Sequence, residues 1–309
     1  MNILITGGNG FIGSHAIKKL QDYKNHRYLT YDNLSNSKND LKNANLIIGD
    51  ILDKEKLCKL FSNKKFKIDA VIHLAAQISV NYSIDHPVQD CQTNLIGLLN
   101  LLECCVDYDV NKFIFASSAA VYGDKSKLPI LESEDLNPSS PYGITKSTAE
   151  SYLKFYSQEF GINTIIFRFA NVYGERQAPW FNVTGGVISE ICKKSIQGKQ
   201  FTINGDGTQT RDFIHADDIA DAIIKSLELD KRFEIINLST GTETSLNQLV
   251  DEFKKLNSNF KSNHTNTSIS EIYKSSLDNT KYKSLLNGPQ ISLSEGLKNT
   301  YQWYLDNMK

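Results

Sequence analysis

Apolar positions gather in short β-branched runs through the first 170 residues, with amphipathic stretches between them. NILIT (2–6), RYLTYD (27–32), NLIIGD (45–50), DAVIHLA (69–75), KFIFASS (112–118) and TIIFRFA (164–170) read as strands. Several are apolar at successive positions, without the alternation of a half-exposed strand. That is the pattern of a parallel sheet covered on both faces. Helical periodicity lies between the runs, near 11–23, 53–62, 87–108 and 141–159. The last of these is well punctuated, with Ser140 to cap it, Pro141 at its first position and Gly161 beyond its end. Strands alternating with helices predict an α/β fold with a doubly wound parallel sheet of the Rossmann type. Past about residue 175 the pattern loosens, with helices expected at 184–198, 216–228, 245–257 and 292–307. This divides the chain into a Rossmann domain at 1–174 and a second, smaller α/β domain at 175–309, with some interleaving of the two. LNSNFKSNHTNTSIS (256–270) is the expected mobile loop.

Composition narrows the function classes. With 309 residues, 40% of them hydrophobic, the chain has material for two fused cores. A net charge of −1 argues against a nucleic-acid surface or a polybasic membrane patch. No apolar run approaches the roughly 20 residues that span a bilayer. The five cysteines (Cys58, Cys91, Cys104, Cys105 and Cys192) show no CxxC or zinc spacing, so reduced thiols, a cytoplasmic location and no metal site are expected. Only five of the 34 basic residues are arginines, and Arg168, Arg176 and Arg211 fall close together. Arginine among so many lysines suits two-pronged binding of phosphate, chance clustering being the plainer alternative.

TGGNGFIG places Gly7, Gly10 and Gly13 between the first strand and the first helix. Glycines there let a turn tighten and let a pyrophosphate approach backbone N–H groups at a helix N-terminus. Asp32 ends the second strand, where a carboxylate accepts hydrogen bonds from a ribose diol and repels a 2′-phosphate. The cofactor expected is therefore NAD rather than NADP. Asp50, closing the third strand, is placed to reach the adenine edge. Tyr142 and Lys146 lie four apart in SPYGITK and so share one helix face. An ammonium beside a phenol favours the phenolate, as does oxidised nicotinamide, although burial works against it.

Taken as a set, TGGNGFIG, YDNLSNS, HLAA (73–76), SSAAVYG, SPYGITK, RFANVYG and GDGTQTRDFIHADD resemble the extended short-chain dehydrogenase/reductase family. Within it they are similar to the nucleotide-sugar 4-epimerases, nearly end to end, thinning at 255–290. The resemblance implies that Tyr142 is the general base, that Lys146 holds the nicotinamide ribose, and that Ser118 hydrogen-bonds the sugar's 4-hydroxyl. It extends the cofactor contacts to Phe11, Ile12, Asn33, Ile51, Leu74, Ala75, Ala76 and Asn94. Asn171 and Arg211 would contact the nucleotide diphosphate. Ser275, three before the last motif aspartate Asp278, would leave room beside sugar C2. The implied partners are a nucleotide-diphosphate sugar, UDP first, and a second copy of the chain through the helices near 87–108 and 141–159.

The implied reaction inverts C4 of a UDP-hexose or UDP-N-acetylhexosamine through a 4-keto intermediate. A 4,6-dehydratase and a 4-keto reductase are the family alternatives, and an NAD-binding regulator is the non-enzymatic one. Related dehydratases carry an acid pair after the hydroxyl, where this chain has Ala119 and Ala120. A second diphosphate-binding arginine, common in such epimerases before the last aspartate, is missing from TNTSISEIYKSSLD. Ser117 reads as a strand-end backbone partner, His73 and His215 as packing groups, and Arg176 as a surface charge.

Overall fold

NILIT forms strand β1 (Asn2–Thr6), with Ile3, Leu4 and Ile5 fully buried because helices cover both sides of it. In a computed structural model of the chain, residues 1–36, 45–177, 186–266 and 273–308 are described. After β1 come α1 (Phe11–Leu20), β2 (Arg27–Asp32), β3 (Leu46–Ile48), α2 (Lys54–Phe61) and β4 (Ala70–His73). Then follow α3 (Val80–Asp85), α4 (Pro87–Cys91), a π-helical segment at Gln92–Ile96, α5 (Gly97–Asp107), β5 (Lys112–Ser118), α6 (Pro141–Phe160) and β6 (Asn163–Phe169). The sheet runs Phe233–Leu238, β6, β5, β4, β1, β2, β3, and the pairings from β6 across to β3 are parallel. Strand order reverses between β1 and β4. The crevice at the carboxyl ends of those strands is where such sheets receive ligands.

The chain divides into two compact units. One comprises residues 1–124, 133–169 and 220–236 and holds the large sheet; the other comprises 125–132, 170–219 and 237–309. The core of the first lies under α2, α5 and α6, with Leu57, Leu98, Leu101, Leu102, Phe113 and Leu153 fully buried. The second unit is built on short ladders. Asn171–Tyr173 pairs in parallel with Phe213–His215, Phe201–Asn204 pairs in parallel with Ser262–Thr265, and Thr210–Arg211 pairs antiparallel with Thr244–Ser245. Helices Gly186–Ile196, Leu246–Leu256 and Leu293–Asn307 bury Ile191, Phe253 and Tyr304 against this framework. Part of the expected loop at 256–270 is thus the strand Ser262–Thr265, and 267–270 lie outside the described residues. No described helix is long and apolar enough to cross a membrane.

Candidate active site

The turn after β1 is held by close backbone packing. Gly7 has φ +70°, and a Cβ there would stand 2.6 Å from the Ala75 backbone nitrogen. A Cβ at Gly13 would stand 2.3 Å from the Gly7 carbonyl oxygen. Only glycine allows the start of α1 to seat so tightly on the turn. Gly10 caps α1 without a side-chain bond, and the first turn carries no acid. Ser14 is the first of these N–H groups to reach a helical acceptor, Gly10 O at 3.0 Å, so those of Phe11, Ile12 and Gly13 precede the helical ladder.

Asp32 is buried at the end of β2. Its Oδ2 accepts from the Asn9 N–H (2.9 Å) and its Oδ1 from the Leu34 N–H (2.8 Å). Asp50 is tied locally, accepting from Asn33 Nδ2 (2.8 Å) and the Leu52 N–H (2.9 Å). Ile51 is buried beside it. At the other side of the switch point, the N–H of Leu74 donates to Thr6 O (3.0 Å), so Leu74, Ala75 and Ala76 leave β4 against the glycine turn. His73 packs as the sequence suggests, bonded to Thr6 Oγ1 (2.7 Å) and stacked on Phe115, its pKa pushed down to about 3 by burial and by the Lys146 charge.

Ser118 is the last residue of β5, and Ala119–Val121 form a 3₁₀ turn after it. Its hydroxyl accepts from the Ala120 N–H (3.2 Å) and lies near enough to the Tyr142 phenol to act on its pKa. Tyr142 and Lys146 do lie on one face of α6, whose Ser140 cap and Pro141 start are as expected. The ammonium, however, donates to Ala116 O (2.8 Å) and sits over the Phe115 ring (4.8 Å). Burial therefore dominates the phenol, which is pushed up to about 12, the Ser118 hydroxyl acting in the opposite direction. On balance the protein's own groups do not bring the phenol's pKa down toward neutral pH. Burial likewise pushes the Lys146 ammonium down to about 8, with Asp90 and Glu150 holding it up.

Ser117 departs from its reading as a backbone partner. It donates to Glu150 Oε1 (2.6 Å), and Glu150 forms a buried ion pair with Arg168 (2.6 Å). Arg168 is thus a core group beneath the site, also donating to the Tyr122 hydroxyl (2.8 Å), and not a phosphate ligand.

In the second unit Asn171 is exposed at the start of its strand, and its N–H donates to Asp212 O (2.9 Å). Arg211 is partly buried, one guanidinium nitrogen donating to Thr210 O (2.8 Å). Asp278 turns inward on its own segment, accepting from the Thr280 N–H (3.0 Å) and hydroxyl (3.2 Å) ahead of the helix Thr280–Leu286. Ser275 is partly buried just before the Ile130–Leu277 bridge. His215 packs edge-on to Tyr173 and lies 3.2 Å from a Glu175 carboxylate oxygen.

Residues 3–239 match the profile of the NAD dependent epimerase/dehydratase family. The chain belongs to that family. A putative UDP-glucose 4-epimerase of Methanocaldococcus jannaschii is 41% identical over 310 residues, covering 99% of each chain. The solved UDP-glucose 4-epimerase of Thermotoga maritima, with UDP-glucose, superposes with a TM-score of 0.93 at 37% identity over all of both chains. The UDP-N-acetylglucosamine 4-epimerase of Methanobrevibacter ruminantium, in complex with UDP-N-acetylmuramic acid, gives 0.92 at 33% identity over 99% of each.

NAD is the cofactor of this family, and the residues present fit it. An acid-free helix start on a glycine turn offers N–H groups to a diphosphate. Asp32 is fixed by two backbone donors and keeps lone pairs for a ribose diol. The ligand released from purified protein by denaturation should accordingly be NAD by absorbance and mass. Recovery of NADP would contradict the reading of Asp32.

Sequence reasoning passed over three side chains that tie the start of α6 to the segments beside it: Gln77, Asp90 and Thr145. Asn94, which it did select, is among their partners. Its Oδ1 accepts from the Gln77 N–H (2.8 Å), and its Nδ2 donates to Gln77 O (3.0 Å) and Asp90 Oδ1 (3.0 Å). The available signals were an acid four residues before Asn94 and a hydroxyl three after Tyr142.

Proposed function

We propose that the protein is a UDP-sugar 4-epimerase, acting on a hexose or N-acetylhexosamine through a 4-keto sugar. The observation that carries this is Ser118 at the end of β5, its hydroxyl near enough to act on the Tyr142 phenol, followed at once by Ala119 and Ala120. Ser118 would hold the 4-oxygen, and Tyr142 would accept its proton and return it. Lys146 would hold the cofactor's ribose and add positive charge near the phenol. Bound NAD supplies the hydride acceptor and, on return, the donor. Elimination at C5 and C6 needs a further acid and base. The buried carboxylates nearest this chemistry are already committed: Glu150 to Arg168, and Asp90 to Gln77, Asn94 and Thr145. Incubation with a panel of nucleotide sugars, read by NMR, should give C4-inverted products with no net reduction of cofactor. A 6-deoxy-4-keto product would point to dehydration.

Arg211 would grip the diphosphate with two prongs, in which case Arg211→Lys is not conservative. Steady-state kinetics should show a raised KM with little change in kcat. An unaltered KM would move the diphosphate elsewhere, to Arg176 or Lys274.

Ser275 would sit beside sugar C2 and admit an N-acetyl group. Ser275→Tyr should then lower kcat/KM on the N-acetylated pair by roughly 5- to 150-fold relative to the plain hexoses, since overpacking costs about 1–3 kcal/mol. Equal losses on both pairs would show that Ser275 does not face C2. Exposed Ile96, Ile144 and Phe155 support a homodimer through the π-helical segment and α6.

A further inference from the structure

Asp90 has no exposed surface, yet among the described residues every side-chain donor to its carboxylate is neutral. Oδ1 accepts from Gln77 Nε2 (2.6 Å) and Asn94 Nδ2 (3.0 Å), and Oδ2 from Thr145 Oγ1 (2.7 Å). The other buried carboxylate near Lys146, Glu150, is neutralised by Arg168 at 2.6 Å. A buried carboxylate held only by neutral donors keeps its full field for its surroundings. Its three partners come from three elements that meet at the catalytic set. Gln77 follows the β4 end, Asn94 lies in the π-helical segment, and Thr145 stands on α6 between Tyr142 and Lys146.

We propose that Asp90 is a positioning residue that keeps Lys146 in its charged form while clamping α6 to the cofactor-side segments at Gln77 and Asn94. This rests on the assignment of Tyr142 and Lys146 as the proton-handling pair. The charged and titratable groups facing Lys146 leave this role to Asp90. Arg168 on β6 offsets Glu150 on α6 itself. His73 on β4 is neutral, its pKa near 3, and Tyr122 beside the 3₁₀ turn is bonded to Arg168. Lys112, at the far end of β5, is bonded to the carbonyls of Ser226, Leu227 and Leu229. The Asp90 field raises both Lys146 and Tyr142. It helps the lysine stay charged and makes the phenolate harder to form.

Asp90→Asn separates charge from geometry. The amide oxygen can accept from Gln77 and Asn94. The amide nitrogen can donate to Thr145 Oγ1, whose proton already has a second acceptor in Tyr142 O (3.0 Å). The sign follows from the charge. Without the carboxylate, Lys146 loses its proton at lower pH and the phenol also ionises at lower pH. Both limbs of the pH profile of kcat/KM should therefore move toward acid by about 0.5–1 pH unit. Phenolate difference absorbance, with Tyr142→Phe as the blank, should show the Tyr142 titration moving the same way, and it reads the phenol whatever the reaction is. Thr145→Val cuts the clamp but keeps the charge, so it should lower the rate without moving either limb. Asp90→Ser, a second uncharged variant, should reproduce the acid shift. A uniform loss of rate with both limbs and the phenol titration unmoved in Asp90→Asn and Asp90→Ser would overturn the proposal. So would an equal shift in Thr145→Val. Tyr142→Phe activity tests the underlying assignment separately.

Discussion

Tyr142→Phe is expected to lower kcat by about 10²–10⁴ on every nucleotide sugar the enzyme accepts, the usual worth of general acid–base catalysis. The variant keeps the ring that packs at the start of α6 and removes only its hydroxyl. Substrate KM and retained NAD should therefore change little. The protein's own groups hold the phenol up at about 12. As the proposed base, Tyr142 would then depend on positive charge brought close to it, which oxidised nicotinamide provides and the reduced form does not. The Tyr142 titration should accordingly lie lower in protein carrying NAD than in protein carrying NADH. Near wild-type turnover by Tyr142→Phe would remove this residue from the chemistry.

The second large effect is on stability. Arg168→Met strands the Glu150 carboxylate beneath the site, since the side chains of the pair are only 3% and 5% exposed. Breaking a buried pair from one side costs about 3–5 kcal/mol. A fall of that size should appear in the denaturant midpoint, with the slope of the transition unchanged. The double variant Glu150→Met, Arg168→Met should recover most of the loss, because no buried charge remains unpaired. Equal destabilisation by single and double variants would show that packing, not charge, is what the pair supplies. Ser117, bonded to Glu150, places this network next to Ser118, the proposed holder of the 4-oxygen. Some loss of kcat should therefore accompany the single variant.

Residues whose signal is local were legible in the sequence. The six apolar runs became β1 to β6 within a residue or two, because short β-branched runs have few alternatives. Helix 141–159 was equally clear, marked by its own cap, proline and glycine. The stretch 87–108 reads as one helix but breaks into α4, the π-helical segment and α5. A wide turn barely alters the apolar period, and what accompanies it is Asn94 and Asp90 bonding to Gln77 across the chain. Val80–Asp85 and Thr280–Leu286 are too short to show a helical period. Phe233–Leu238 lies far along the chain from its neighbour β6, a pairing that no local pattern carries.

The site divides in the same way. Glycines and Asp32 declare themselves by spacing, as do Tyr142 and Lys146. The direction of the phenol's shift does not, because it depends first on how deeply the fold buries the ring. The local bonding of Asp50 and Arg168 was not legible either. One closes a turn with Asn33 and Leu52, and the other neutralises Glu150.

The fate of a deuterium placed at C4 of UDP-glucose tests the central claim most directly. In a 4-epimerase the label leaves C4 and returns to C4 on the opposite face. The account predicts UDP-galactose carrying deuterium at C4, with no net change in NAD. Deuterium at C6 of a 6-deoxy-4-keto sugar would contradict it, because the label would then have followed loss of water, chemistry for which the Ala119–Ala120 turn offers neither acid nor base.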